Sequence, residues 1–305
     1  QKDSGPLQFL TDMVPDNALA AMTDNSLMLQ VIFFTIFLGI SMLLIGEKKA
    51  KPLKDFFDTL NYVVLKMVDL IMLTAPYAVF ALLAGVVVSS SDPDLLLALL
   101  KYAGVVVLGL ALMIVFYATV VGLVTKKNPF WFLKEISPAQ LLAFSTSSSA
   151  ATLPVTMERV EEHIGVDQEV SSFVLPVGAT INMDGTSLYQ GVAAVFISQA
   201  LGFDLTFGNQ LTIVLTALLA SIGSAAVPGA GMVMLVIVLE SIGFPPDKLA
   251  IGLALIFAVD RPLDMCRTVV NVTGDATVSM VVAKSVGKLG DPHVEEWDDN
   301  YDEVK

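Results

Sequence analysis

Long apolar runs alternate with short charged breaks along this chain, and the alternation predicts membrane-spanning helices. Residues 27–45 are a mostly apolar run without a charge, close to the roughly 20 residues that cross a bilayer as a helix. Residues 47–54 then bring four lysines, which by the positive-inside rule place that end in the cytoplasm. Residues 56–88 are longer than a bilayer needs. They carry Asp58, Lys66 and Asp69 early and Pro76 in the middle, so they are expected to start along the interface and then to span. Residues 89–94 read as an outside turn and residues 95–124 as the returning span, after which Lys126, Lys127 and Lys134 mark the inside again. Residues 1–25, broken by Pro6 and Pro15, read as an extramembrane loop with a short helix. With neither a basic start nor a continuous apolar core, they do not read as a cleavable signal peptide.

Beyond Pro138 the pattern changes. An apolar arm, residues 141–144, leads into a small polar tip, residues 145–152, and a second apolar arm carrying Pro154. Such a stretch is too short and too polar at its centre to span, and fits a hairpin that enters the membrane and turns back with its tip buried in protein. An acidic linker, residues 158–169, follows. The arrangement recurs with an arm at 211–220, a small-residue tip at 221–231 and a second arm at 232–239. Each hairpin precedes an apolar segment with polar groups at its centre, 173–201 and 251–283. Hairpin plus interrupted helix is therefore expected twice, the second copy entering from the opposite face. Inverted repeats of this kind place substrate and ions near the midplane. Two Gly- and Ser-rich loops in a generic bundle account for either copy but poorly for both.

The first interrupted segment contains Gly178, Thr180, Asn182, Asp184, Gly185 and Thr186. A charged Asp at the bilayer centre costs about 2.5–3.5 kcal/mol, so such residues face a protein interior or cavity and usually bind something. Gly178 and Gly185 are expected to let the backbone leave the helical path, freeing carbonyls that need a partner. Carbonyls, a carboxylate and an amide oxygen suit a hard cation such as sodium; the plainer alternative is a kinked helix with a buried polar knot. In the last span, Asp264, Arg267, Thr268, Asn271 and Asp275 recur at helical spacing and line one stripe. An anion and a cation one turn apart, with a hydroxyl and an amide, complement a zwitterion with an acidic side chain. Arg267 can hold a carboxylate bidentately and Asp264 can take an ammonium, while Asp275 can meet a cation. An internal Asp–Arg pair that only staples helices is the alternative on this helix alone.

Composition agrees with a polytopic membrane protein: 305 residues, 55% hydrophobic and only 15% charged. The net charge of −13 says little about partners. Residues 291–305 hold seven acids against one lysine, as solvated tails often do. Nothing reads nucleic acid. Cys266 is the single cysteine, and His163 and His293 lie far apart, so neither a disulfide nor a zinc framework is indicated.

These motifs together resemble the glutamate transporter family, the dicarboxylate/amino acid:cation symporters, and in particular its prokaryotic sodium-coupled aspartate or glutamate carriers. The resemblance runs from about residue 10 to 290. It rests on Ser147-Ser148-Ser149 with Thr152-Leu153-Pro154, Asn182-Met183-Asp184-Gly185-Thr186, the tip Val227-Pro228-Gly229, and the stretch from Asp264 to Asp275. An archaeal member of that family is itself one of the cases behind the inverted-repeat rule. The resemblance implies an all-α polytopic membrane protein built of inverted repeats, with two re-entrant hairpins, interrupted spanning helices and three further helices ahead of residue 1. Residues 1–125 are then scaffold, trimerisation and peripheral helices. Residues 126–290 are the transport domain: hairpin 130–160, interrupted helix 167–201, hairpin 206–241 and last span 247–285. Residues 291–305 form a cytoplasmic tail.

The resemblance further implies a homotrimer in an inner cell membrane, working by elevator movements, with co-transported sodium and no organic cofactor. The substrate's main-chain carboxylate is expected near Ser149, Asn271 and the first hairpin, its ammonium at Asp264, and its side-chain carboxylate at Arg267 with Thr186. Ser147, Met183, Val227, Gly231 and Thr268 complete the expected substrate shell. One sodium site is implied at Gly178, Asn182, Asn271 and Asp275, a second at Thr180, Ser221, Ile222 and Ser224, and part of a third at Asn182 and Asp184. The tip 227–231 is the expected extracellular gate. The chain departs from the family pattern at Met265 and Ser147, where relatives carry a second arginine, with Arg261 on roughly the stripe of Asp264 instead. It departs again at Gln190, where animal members carry a glutamate linked to proton coupling. Carriage of C4-dicarboxylates or neutral amino acids is the alternative within the family. An intramembrane aspartyl protease using Asp184 and Asp264 is the remote one, since the charge of Arg267 beside Asp264 is at odds with two carboxyls sharing a proton.

Overall fold

The computed structural model describes residues 14–23, 27–74, 77, 80–81, 93–224 and 226–293. Among these residues the regular elements are helices, and the extended pairing is a single antiparallel bridge between Val166 and Leu289. In chain order the helices are α1 (Ala18–Ala21), α2 (Met28–Ile45), α3 (Glu47–Met72), α4 (Pro93–Val120), α5 (Pro129–Thr146), α6 (Ser149–Glu158), α7 (Gln168–Ile181), α8 (Asp184–Ala200), α9 (Phe207–Ile222), α10 (Ala230–Ser241) and α11 (Pro246–Ser285). Wider π turns extend α4 through Thr125 and α6 through Ile164.

Local chemistry sets the boundaries. Asn128 caps α5 by accepting from the N–H of Phe130 at 2.9 Å, with Pro129 in the first turn, where its missing N–H costs nothing. Ser148 caps α6 through the N–H of Ala151, Asp167 caps α7 through that of Glu169, and Thr206 and Asn209 cap α9 reciprocally. The tail of α6 ends at Gly165, whose φ of +88° lies in the left-handed region. A Cβ there would stand 2.8 Å from the Asp291 carbonyl carbon.

Several expectations change. The lysine run at 47–54 belongs to α3, which starts directly after Gly46 (φ +85°) and contains Pro52. It is an amphipathic helix, with Lys51 paired to Asp55 one turn on at 3.2 Å. The linker at 158–169 is largely helical, and its Val160 and Ile164 are buried. The second interrupted helix is not interrupted: α11 runs for 40 residues through Pro262. One helix among the described residues, Leu97–Thr125, is long and apolar enough to cross a membrane alone, while Phe33–Ile45, Phe207–Ile222 and Ala230–Ser241 are shorter apolar helices. Pro76, most of the expected span at 75–88, the turn at 89–92 and the tail from 294 lie outside the described residues.

The chain divides into two compact units, residues 1–104 with 189–261 and residues 105–188 with 262–305. In the first, α9 packs along α10. Tyr102 stacks on Phe196 with ring centroids 4.8 Å apart, and Gly252 lets α11 approach Ile197, whose side chain a Cβ would meet at 2.5 Å. In the second, α5 and α6 form a helical hairpin against α7, around a core that includes Phe132, Ile136, Leu175, Val272 and Met280. A clip closes one end of this unit. The N–H of Asp167 donates to the Lys288 carbonyl at 3.1 Å and that of Gly290 to the Gly165 carbonyl at 2.8 Å. The Lys288 ammonium bonds to Glu169, which with Asp167 holds it above the ordinary lysine range.

Candidate functional site

The second unit gathers the polar stripe of α11, the break between α7 and α8, and the turn between α5 and α6. The break falls at Asn182, with φ −88° and ψ 76°, and Met183. It does not fall at the glycines. Gly178 and Gly185 sit within helices, and their value is close approach rather than backbone freedom. A Cβ on Gly178 would lie 2.6 Å from Oδ1 of Asp275, and one on Gly185 would lie 2.5 Å from the carbonyl oxygen of Arg267. The missing side chains let α7 and α8 lie against α11 closely enough for direct polar bonds.

Those bonds join the two motifs. Asn182 Nδ2 donates to Asp275 Oδ1 at 3.0 Å. The Gly185 N–H donates to Asn271 Oδ1 at 2.8 Å, so a side chain of α11 caps the first turn of α8. Asn271 Nδ2 in turn donates to Thr186 Oγ1 at 3.3 Å. The Gly178 carbonyl accepts from the N–H of Asn182 at 2.8 Å and keeps a second lone pair. Gly178, Asn182, Asn271 and Asp275, the set inferred for one sodium ion, thus belong to a single unit; bonds or near contacts link Gly178, Asn182 and Asp275, while Asn271 bonds to Gly185 and Thr186.

One turn up the stripe, Arg267 Nε donates to Asp264 Oδ1 at 2.9 Å, and Nη2 stands at ion-pair distance, 2.8 Å, from the same oxygen. The Arg267 side chain is 1% exposed and that of Asp264 is 7% exposed. An ion pair at this depth demands bonding partners, because an unmatched buried charge costs several kcal/mol. Thr268 is buried, and its hydroxyl donates to the Asp264 carbonyl at 2.8 Å. The Asp184–Asp264 protease reading finds no support: Asp264 is engaged by Arg267, and Asp184 accepts a hydrogen bond from Tyr117.

The first hairpin supplies its tip. Ser147 turns the chain with φ +53°, a left-handed conformation uncommon outside glycine. Ser147, Ser148, Ser149 and Thr152 are all buried, and Ser147 Oγ has no hydrogen-bond partner among the described residues. Gln140 ties the hairpin to α11 by donating to Thr273 Oγ1 at 2.9 Å. Met183 is buried beside the break. Thr180 is exposed, its hydroxyl donating to the Val177 carbonyl.

The remaining expected residues lie in the first unit, at and around the α9–α10 turn. Ser221 bonds back to the Leu218 carbonyl at 2.8 Å, Ser224 is buried with no partner for its hydroxyl among the described residues, and Ile222 and Val227 are half-buried. The Gly231 carbonyl accepts from Gln190 Nε2 at 3.1 Å. Two groups escaped the sequence reading. Tyr117, in an apolar run, carried no motif. Gln140 and Thr273 were separated by 133 positions, beyond the reach of any local pattern.

Residues 1–285 match the sequence model of the "Sodium:dicarboxylate symporter family". An "Excitatory amino acid transporter" of Caenorhabditis elegans is 42% identical over 92% of this chain and 56% of its own length. The "Proton/sodium-glutamate symport protein" of Bacillus subtilis is 39% identical over 94% of the chain and 65% of its own length. "Excitatory amino acid transporter 1" of Homo sapiens is 44% identical over 77% of the chain and 43% of its own length. The chain spans about half the length of the curated relatives it matches. The family match runs through the hairpins, the broken helix and the polar stripe of the last helix, and the chain belongs to the sodium:dicarboxylate symporter family.

Proposed function

We propose that this chain carries the binding machinery of a membrane symporter that couples sodium entry to uptake of an acidic amino acid, aspartate or glutamate. The observation that carries the reading is the buried stripe of α11. There Asp264 and Arg267 offer one negative and one positive group a turn above Asn271, and Asp275 lies one turn below it. The names of the Bacillus subtilis and animal relatives support the same substrate class.

In this reading the substrate replaces an internal bond with two external ones. Its ammonium takes the place of Arg267 on Asp264, and its side-chain carboxylate receives the guanidinium fork so released. Its main-chain carboxylate meets Asn271 and the polar tip at Ser147 to Ser149. Sodium takes oxygen ligands from Asp275, Asn182, Asn271 and the Gly178 carbonyl, as a hard cation requires. Asn271 then serves ion and substrate at once, so the two bind cooperatively, and by linkage each raises the other's affinity equally. The family resemblance supports the finer architecture: re-entrant hairpins, the tip at 227–231 as an extracellular gate, a homotrimer with elevator movements, and a cytoplasmic C-terminal tail.

A C4-dicarboxylate carrier is the second reading within the family, favoured by the family's name. Against it stands Asp264, since a substrate without an ammonium draws Arg267 away from this buried carboxylate and brings it no positive charge in return. The test is a binding titration of the reconstituted protein with aspartate, glutamate, succinate and serine, each in sodium and in choline. Tight aspartate or glutamate binding in sodium alone is the expected result. Equal aspartate affinity in both salts overturns sodium coupling, and preference for succinate overturns the amino-acid assignment.

A further inference from the structure

Tyr117 has no role in the reading above, yet its surroundings are the most specific of any aromatic residue in the second unit. It comes from α4, is 5% exposed, and its hydroxyl donates to Asp184 Oδ2. It reaches that carboxylate through a notch in α11. A Cβ on Gly274 would stand 2.8 Å from the Tyr117 hydroxyl oxygen, 2.9 Å from its Cζ and 2.7 Å from Asn182 Nδ2. Three segments therefore converge where α11 has no side chain: the phenol of α4, the amide at the α7–α8 break, and the first acidic residue of α8. Asn182 continues the chain of polar contacts to Asp275.

We infer that Tyr117 is a positioning residue for a cation bound through Asp184. By occupying Oδ2, the phenol fixes the orientation of the carboxylate and directs Oδ1 to the ion, with the Asn182 amide beside it. A carboxylate without that donor is free to rotate onto other donors and loses its pre-set geometry; fixing ligands in advance is what lowers the cost of binding. The inference rests on the sodium-coupled reading and extends it to a residue that is not itself an ion ligand. A phenol serving only as packing would need the ring but not the hydroxyl, which separates the two roles.

The experiment is Tyr117→Phe in the complete, reconstituted protein, with sodium and aspartate binding measured directly by titration. The ring still fills the notch at Gly274, so the fold is retained. The sodium half-saturation should rise about tenfold, as expected for loss of a hydrogen bond to a charged group. Aspartate affinity at saturating sodium should stay near that of the parent protein. A double-mutant cycle with Asp184→Asn gives a second measurement: once Asp184 is neutral, removing the hydroxyl should have no further effect on sodium. An unchanged sodium half-saturation in Tyr117→Phe, or equal loss of sodium and aspartate affinity that saturating sodium does not restore, overturns the inference. So does full additivity in the cycle. Absence of sodium dependence in the parent protein is a different failure, that of the coupled-symport reading itself.

Discussion

Arg267 and Asp264 pair one helical turn apart, Nε donating to a carboxylate oxygen that Nη2 also approaches at ion-pair distance. The opposite charges are thus matched internally, and in the proposed function a ligand enters by exchange. Truncating only Arg267 leaves Asp264 buried without this bond, which should cost about 3–5 kcal/mol, whereas removing both charges should cost far less. We expect Arg267→Ala to melt well below the parent protein and Arg267→Met with Asp264→Asn to recover most of the loss. Thermal denaturation of the two variants checks this.

In the proposed function the same pair sets specificity. Arg267→Ala should shift preference from aspartate toward serine by roughly ten- to a hundredfold, the range for a lost bond to a charged group. Asp264→Asn should weaken aspartate and serine alike, because both carry the ammonium. An unchanged aspartate-to-serine ratio in Arg267→Ala would falsify the assignment of roles.

Gly178 and Gly185 should respond differently to alanine, although both contacts are closer than a Cβ tolerates. At Gly178 the obstacle is the carboxylate end of Asp275, which can swing aside. The protein should therefore fold and lose sodium affinity. At Gly185 the obstacle is the backbone of Arg267, which cannot move alone, so stability should fall by about 1–3 kcal/mol or more. Sodium titration of the first variant and denaturation of the second separate the two.

Gln190 is fully buried and donates to the Gly231 carbonyl, which requires no titratable proton. Transport in the parent protein should proceed without obligatory proton uptake. Gln190→Glu should introduce a pH dependence, since a carboxyl donates to a carbonyl only when protonated. Substrate affinity in that variant should fall as pH rises, while the parent stays flat over the same range. Binding curves at several pH values decide it.

The clip at the end of the second unit gives a contrast in backbone and charge. Lys288 is half-exposed and held above the ordinary lysine range by Glu169 and then Asp167. Its pairing therefore persists through neutral pH and is lost only as pH climbs past that raised value. Surface pairs of this kind contribute little, so Lys288→Met should barely move the melting temperature. Gly165→Ala should lower it clearly, because its φ of +88° strains any side chain and its Cβ would strike backbone at 2.8 Å.

Helix identity and the polar stripe of the last span were legible in the sequence because both depend on short-range periodicity. The apolar runs, the proline-bearing arms and the spacing from Asp264 to Asp275 predict helices and a shared face without knowledge of the fold. Where periodicity was silent, the sequence misled. Charges in the last span suggested a second interruption, yet α11 runs unbroken, since its polar side chains find partners across the packing and the backbone has no need to open. Gly178 and Gly185 suggested a break at themselves, but the break lies at Asn182 and Met183. A glycine marks a missing side chain, and only the neighbouring helix decides whether that absence provides flexibility or proximity. Tyr117 on Asp184, Asn182 on Asp275 and Gln140 on Thr273 join segments 67, 93 and 133 positions apart. Contacts at such separations arise from how helices stack, so the polar residue types could be read along the chain while their partners were set only by tertiary structure.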